Sequence, residues 1–349
     1  MNPHRHRPLA AAALLLALAW PAAANDSEAE LAAGGLVLVK NDRIVMQRED
    51  LTLSPTEVRV RYEMRNVTDQ PLTLRVAFPM PEVPSESPAG MTTSGGGYNI
   101  AMRPPTDPNF MRFRVWADQR EIAPEVEVKA LLPDGRDIAA ALREIGGMKL
   151  VMQPGFFILA DDNAPNAATL AKLEVLGAAE RPDAATVRLP WTTHVTFHWM
   201  QTFAPGVTVV EHSYRPIVGS RLIVVDDKGR LGGSGGGDTV RDFCIDAPTD
   251  QAIRALEKRV SGASGGGTLV GHTLGYILRT ARNWSGPIGT FHLTVQGGPI
   301  RAEGAGGSEV RITSLCTDLP LRRTGPQRFE ATVSDYVPKD DLRVLYIAQ

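Results

Sequence analysis

Four side chains in one stretch have the types and spacing to do chemistry together. From Thr186 to Pro216 the chain reads TVRLPWTTHVTFHWMQTFAPGVTVVEHSYRP, which contains His194, His198, Glu211 and His212. Imidazole nitrogens and carboxylate oxygens are the usual ligands of a catalytic zinc ion. His194 and His198 are four apart, a spacing that brings two ligands to one metal on a helix. On a strand rising roughly 3.3 Å per residue their backbones stand about 13 Å apart, so a better set takes one of them with a residue across the sheet, where facing side chains lie about 5 Å apart. Folding the stretch about Pro205-Gly206 places His198 near Glu211, His212 or Ser213. The enzymatic reading is therefore a metal-assisted hydrolase of an envelope polymer using His194, His198 and His212. The competing reading leaves these histidines solvated or hydrogen-bonded on the polar face of a sheet.

Other catalytic patterns are weaker. No G-x-S-x-G elbow sits on a strand-to-helix turn, the Ser-Gly stretches at Gly233 to Gly237 and Ser261 to Gly267 read as linkers, and Gly265-Gly266-Gly267 lacks the Lys-Ser/Thr that follows a phosphate cradle. Asp161-Asp162, Asp226-Asp227 and Asp340-Asp341 occupy turn-like positions, where Asp supports local hydrogen bonds. No catalytic residue is selected and no cofactor is expected. Trp284, in Asn283-Trp284-Ser285-Gly286-Pro287-Ile288, and Tyr214, ahead of Arg215-Pro216, are either core plugs or exposed recognition anchors.

The elements that must position these groups are strands. Two runs rich in β-branched and aromatic residues flank Ala204-Pro205-Gly206, so the stretch reads as a long β-hairpin. In its first arm Trp191, Thr193, Val195, Phe197, Trp199, Gln201 and Phe203 share one face, and Thr192, His194, Thr196, His198, Met200 and Thr202 the other. Upstream, Leu36 to Val39, Ile44 to Leu53, Glu57 to Asn66 and Leu72 to Phe78 alternate as a strand meander, with Arg59, Arg61, Glu63 and Arg65 on a wet face. Phe110 to Ala117 and Val126 to Leu131 continue the sheet after a Pro, Ser and Gly-rich loop from Pro81 to Asn109. Helices fit Asp137 to Ile145, stopped by Gly146-Gly147, and Asn166 to Leu176, ended by Gly177. A third fits Asp250 to Val260, capped by Thr249. Later strands fit Leu274 to Thr280, Ile288 to Gln296, Glu309 to Cys316, Arg328 to Ser334 and Leu342 to Ala348. The expected class is mainly β: antiparallel β-sandwiches with a few short helices.

At 349 residues there is chain enough for about two domains. Residues 1–24 carry basic Arg5 and Arg7, an apolar run from Leu9 to Trp20 and Ala22-Ala23-Ala24, the pattern of a secretory signal peptide. An N-terminal sandwich over residues 25–228, a glycine-rich linker or loop over 229–238, and a β-rich region over 239–349 that can complete the same assembly are expected. The chain has 37 basic and 39 acidic residues; losing Arg5 and Arg7 leaves 35 against 39, a charge of −4. That balance argues against a nucleic-acid partner, and no later apolar run is long enough for a membrane span. Cys244 and Cys316, the two cysteines, are expected to pair in an oxidising compartment. The expected location is the periplasm, and the expected partner an envelope protein or polymer.

Several stretches together resemble a bacterial family of secreted proteins, the domain of unknown function numbered four-four-two-four. They are Asn25 to Leu36, Arg59 to Asn66 before Val76 to Pro81, Gln201 to Phe203 with Glu211 to Pro216, Asn283 to Gly289, and the cysteine-bearing segments. The resemblance implies export and a mostly β structure, and supplies no catalytic residues. The N-x-T-D-Q-P-L turn, F-P-M-P, V-x-A-D-x-R-x-I and F-A-P-G are also similar in arrangement to the β-sandwich module of inter-α-trypsin inhibitor heavy chains, a likeness of fold alone. Together these observations favour a non-catalytic binding or assembly module of the cell envelope over the hydrolase.

Overall fold

Apolar and polar residues alternate along most strands, and a strand that buries every second side chain needs a second layer to bury it against. The computed structural model describes residues 27–32, 35–80, 82–83, 94–95, 98–99, 106–160, 162, 164–216, 218–225, 231–233, 239–262, 269–300 and 308–348. The signal-peptide reading, most of the Pro81 to Asn109 loop and most of the 229–238 linker lie outside these residues.

β1 (Ser27–Ala32) and β2 (Gly35–Val39) form one antiparallel pair, and β3 (Ile44–Leu53) and β4 (Val58–Asn66) another in a different sheet. β5 (Leu72–Pro79) returns to pair with β1. After the short pair β6 (Ser94–Gly95) and β7 (Tyr98–Asn99), β8 (Arg114–Ala117) turns into β9 (Arg120–Ile122) through Asp118 and Gln119 at φ 44° and 67°. β10 (Glu125–Leu131) follows, and β11 (Gly155–Ile158) pairs with β12 (Thr186–Leu189) in a small sheet of its own. β13 (Thr192–Phe203) lies between β10 and β5, while β14 (Gly206–Tyr214) lies between β4 and β8. β15 (Gly219–Val225), β16 (Leu231–Gly233) and β17 (Leu269–Tyr276) open a third sheet. β18 (Ile288–Gln296) joins β3 in parallel, and β19 (Gly298–Ile300) pairs with β20 (Ser308–Cys316). β21 (Arg322–Gly325) and β22 (Arg328–Tyr336) extend the sheet beyond β18, and β23 (Leu342–Ala348) closes the third sheet between β17 and β20.

The protein is thus mainly β, as its alternation predicts. A five-stranded sheet (β10-β13-β5-β1-β2) faces an eight-stranded one (β21-β22-β18-β3-β4-β14-β8-β9), and the six-stranded sheet runs β16-β15-β17-β23-β20-β19. Strands from both sides of residues 229–238 meet in the eight-stranded sheet through β18 and β3. In β23, Val344 and Tyr346 belong to the main core, whereas Leu345 and Ile347 pack with Ile253 and Phe243 in a second, smaller one. Among the described residues four short α-helices occur: α1 (Ala139–Val151), α2 (Ala167–Leu176), α3 (Thr239–Asp242) and α4 (Ala247–Gly262). Gly147, at φ 70°, breaks α1 as expected, but a further turn follows it. Asn166 caps α2 by accepting from the Thr169 amide at 2.9 Å. α4 starts earlier than its apolar pattern predicts, because Asp246 rather than Thr249 supplies the cap, its carboxylate accepting from the Thr249 amide at 2.8 Å. Among the described residues no helix is long and apolar enough to cross a membrane.

The expected hairpin is overturned. β13 and β14 are consecutive but lie in opposing sheets, as do β4 and β5, so the early strands are not a simple meander either. The two sheet changes sit side by side: Phe203 pairs with Leu72, and Gly206 pairs with Asn66. The physical reason lies in burial. Both β13 and β14 bury one whole face, mostly apolar in β13 and mixed in β14, and in a two-arm hairpin those faces would lie on one surface; an arch instead points them at each other. Gly206, at φ 96°, accommodates the reversal that a side chain there would strain.

Asn66, almost fully buried, fastens both changes: its Nδ2 donates to the Gln70 carbonyl at 2.7 Å and to the Phe203 carbonyl at 3.0 Å, while its Oδ1 accepts from the Thr68 amide. Trp284 closes the same end, edge-on to Phe203 with ring centroids 6.4 Å apart. Between the sheets, Phe113 stacks on Phe197 at 4.5 Å and on Phe78 at 5.2 Å, and each such buried ring contributes roughly 2–3 kcal/mol.

Cys244 and Cys316 are joined as a disulfide, tying the chain just after α3 to the end of β20 across a separation of 72 residues. Replacing both by serine is expected to cost about 2–4 kcal/mol, read as a lower urea midpoint that reductant reproduces in the parent protein. Asn66→Ala, which strands the buried Phe203 carbonyl, is expected to cost roughly 1–3 kcal/mol in the same assay, without changing the disulfide.

Candidate functional site

The sheet change at Pro205-Gly206 disperses the four-residue metal set. His194 and His198 stand on the outer face of the five-stranded sheet, where His194 Nδ1 lies 3.6 Å from Glu82 Oε1. His198 Nδ1 meets Arg75 Nη1 at 3.0 Å; burial lowers its pKa, and Arg75 lowers it further against the pull of Glu125 and Glu127. Glu211 is on the outer face of the other sheet, and His212, one residue on, points into the core between them. The expected approach of His198 to Glu211 or His212 across a hairpin does not occur. Among the described residues no group of three or more His, Cys, Asp or Glu could hold a metal ion. Trp284 and Tyr214, the candidate recognition anchors, are 1% and 5% exposed, so they fill the core rather than present a surface.

The polar face of the eight-stranded sheet gathers groups that sequence spacing does not connect. One row crosses five strands: His292 of β18 pairs with Asp50 of β3, Asp50 with Arg61 of β4, Arg61 with Glu211 of β14, and Glu211 with Trp116 of β8. The next row runs Thr52, Arg59, Ser213, Arg114. All of these residues except His292 line an open groove of about 590 Å³, completed by Glu57 and Gln119.

Ion pairs fix most of these side chains. Arg48 donates to both oxygens of Asp50, Nε at 2.8 Å and Nη2 at 2.7 Å, and His292 Nδ1 lies 3.5 Å from the same carboxylate. Arg61 Nη1 reaches Glu63 at 2.7 Å and Asp50 at 3.8 Å. At the other end Arg114 forks onto Glu121, with both contacts at 2.8 Å, and this places its guanidinium 4.8 Å from the centre of the Trp116 ring. The hydrogen bond from Arg114 holds the Glu121 carboxyl below the usual carboxylate range. Glu211, half-buried on the groove floor, has no ion-pair partner among the described residues.

Residues 24–345 match the family DUF4424, a domain of unknown function. The chain belongs to this family. No curated protein matches it. Among solved structures, a Legionella pneumophila protein described as a "putative nutrient binding protein" aligns at 12% identity and a TM-score of 0.40, over 93% of this chain and 71% of that one.

Of the groove's residues in this DUF4424 protein, Arg59 and Arg61 are legible in the sequence as the wet face of β4, and Glu211 as a polar residue of β14. Asp50, Arg114 and Trp116 are not, because only the pairing register places them beside the others. His212 is the opposite case, a conspicuous residue with no place in the groove except along its backbone. Its ring stands edge-on to Phe78 at 4.6 Å and Phe113 at 5.3 Å, beside Tyr62 and Tyr214. Burial pushes its pKa down to about 3, and the same burial pushes the Tyr214 hydroxyl up.

Keeping His212 neutral has a thermodynamic consequence. Its unfolded-state pKa is near 6.5, so the folded value is depressed. Stability is then fully present above pH ~6.5 and is lost as pH falls toward the folded value, by about 1.4 kcal/mol per unit. His212→Phe keeps an aromatic ring in the cage and removes the titration. Between pH 6.5 and pH 5 the variant should lose about 2 kcal/mol less than the parent, measured by urea unfolding at both values.

Proposed function

We propose that this is an exported, non-catalytic binding module of the cell envelope, and that the groove on its eight-stranded sheet is the binding face. The observation that carries the reading is Glu211. It is a half-buried carboxylate on the groove floor with no ion-pair partner among the described residues, while the side chains around it are held by their own partners. A ligand that donates to Glu211 meets a surface already organised, so little side-chain freedom is lost on binding. The surrounding ion pairs do not explain the arrangement as a stability device, since exposed pairs contribute only about 0–1 kcal/mol each. Export is supported by the signal-like pattern in residues 1–24 and by the Cys244–Cys316 disulfide, which suits an oxidising compartment.

The test is recovery of whatever the protein carries. The full chain is expressed with its leader, isolated from the periplasm, and its bound molecules compared with those of Glu211→Lys and Arg61→Glu. Both reversals lie on a solvated face, so thermal melts should match the parent while the bound material is lost. Equal recovery from parent and variants would remove the groove from the function.

A further inference from the structure

We infer that the groove's ligand is a neutral saccharide chain. The inference rests on the groove being the binding face, and three properties of that face select the ligand class.

The first is charge. Arg59, Arg61 and Arg114 are matched in number by Asp50, Glu57 and Glu211. A site for a phosphorylated or uronic-acid polymer carries excess positive charge, and one for a cationic peptide excess negative charge, because complementary potential is what discriminates such partners. A lining with equal numbers of both signs instead offers donors and acceptors in alternation. Neighbouring hydroxyls on a sugar ring each donate one hydrogen bond and accept others, so they can bridge a carboxylate and a guanidinium at once.

The second is Trp116. The Arg114 fork onto Glu121 sets the guanidinium against the indole and holds the ring in one orientation at the groove wall. The axial C–H groups of a pyranose carry partial positive charge and meet the negative face of an aromatic ring, while hydroxyls project sideways toward polar neighbours. The one aliphatic side chain among the lining residues, Val60, belongs to the core. The groove therefore lacks the apolar side pockets by which peptide-binding grooves select alternate side chains.

The third is direction. The row Asp50, Arg61, Glu211, Trp116 runs across four neighbouring strands rather than along one. Its groups thus repeat at about 4.8 Å, the inter-strand spacing, which is close to the ring-to-ring repeat of a linear pyranose chain. A peptide that added itself as a strand would run along the strands and would need a free edge, whereas β3, β4 and β14 each have partners on both sides.

The experiment is titration calorimetry of the full exported chain with neutral hexasaccharides of glucose, xylose, mannose and N-acetylglucosamine, each run beside an oligogalacturonate and a mixed-sequence peptide library. At least one neutral chain should bind and the two comparators should not. Trp116→Ala should weaken that binding by at least about tenfold, Trp116→Phe should restore most of it, and Glu211→Gln should weaken it with no change in thermal midpoint. The inference is overturned if no neutral chain binds, or if binding survives Trp116→Ala. Binding of the oligogalacturonate or the peptides, lost on Glu211→Lys, would overturn the saccharide assignment and leave the groove as the binding face. Loss of neither would instead count against both.

Discussion

Everything in this fold depends on the chain changing sheets at one rim. Asn66 holds the two changes together, with one amide nitrogen shared between the carbonyls of Gln70 and Phe203. If β13 and β14 stayed in one sheet, His212 would lie on the same surface as Phe197 and Trp199 instead of opposite them. Because they part, two apolar faces meet and enclose the cluster of Phe78, Phe113, Phe197, Tyr62 and Tyr214. The same parting sends Glu211 to one outer surface and His194 and His198 to the other. A backbone event at Pro205-Gly206 therefore decides which polar residues can ever act together.

That explains what could be read from the amino-acid order and what could not. Strand positions were legible because alternation is local: β18 and β23 fall where the pattern puts them, and β4 and β5 shift by a residue. The inward face of β13 was legible for the same reason. The partner of each strand was not, since a turn between two alternating runs looks the same whether it closes a hairpin or an arch. The helices divide along similar lines. α2 had its Asn cap and terminal Gly in view, whereas α4 takes its cap from Asp246, three residues ahead of the Thr249 that the pattern favours.

The candidate site shows the same divide more sharply. The residues that attract attention in a sequence are rare ones, such as His212, Trp284 and Tyr214, and the fold uses all three as packing material. Apart from Trp116, the groove is made of common ones. Asp50, Arg61, Glu211 and Trp116 come from four strands spread across the first two thirds of the chain, and only the register Asp50 to Arg61 to Glu211 to Trp116 makes them neighbours. Preorganisation then follows from composition. With acids and arginines alternating over a pleated surface, most charges find a partner, and a group left over becomes conspicuous by contrast.

The parallel pairing of β18 with β3 has a kinetic meaning. Leu51 and Leu293 are partners across most of the chain, and closing so long a loop costs entropy before the contact returns any energy. Topologies built on such distant pairings fold slowly. Until β18 arrives, β3 presents an open edge toward solvent, the kind of edge that invites pairing with another molecule. The N-terminal strands can collapse early, but the eight-stranded sheet is not whole until the last sixth of the chain has been made and β22 has docked on β18. The protein therefore has a long interval in which a central strand of its largest sheet is an open edge.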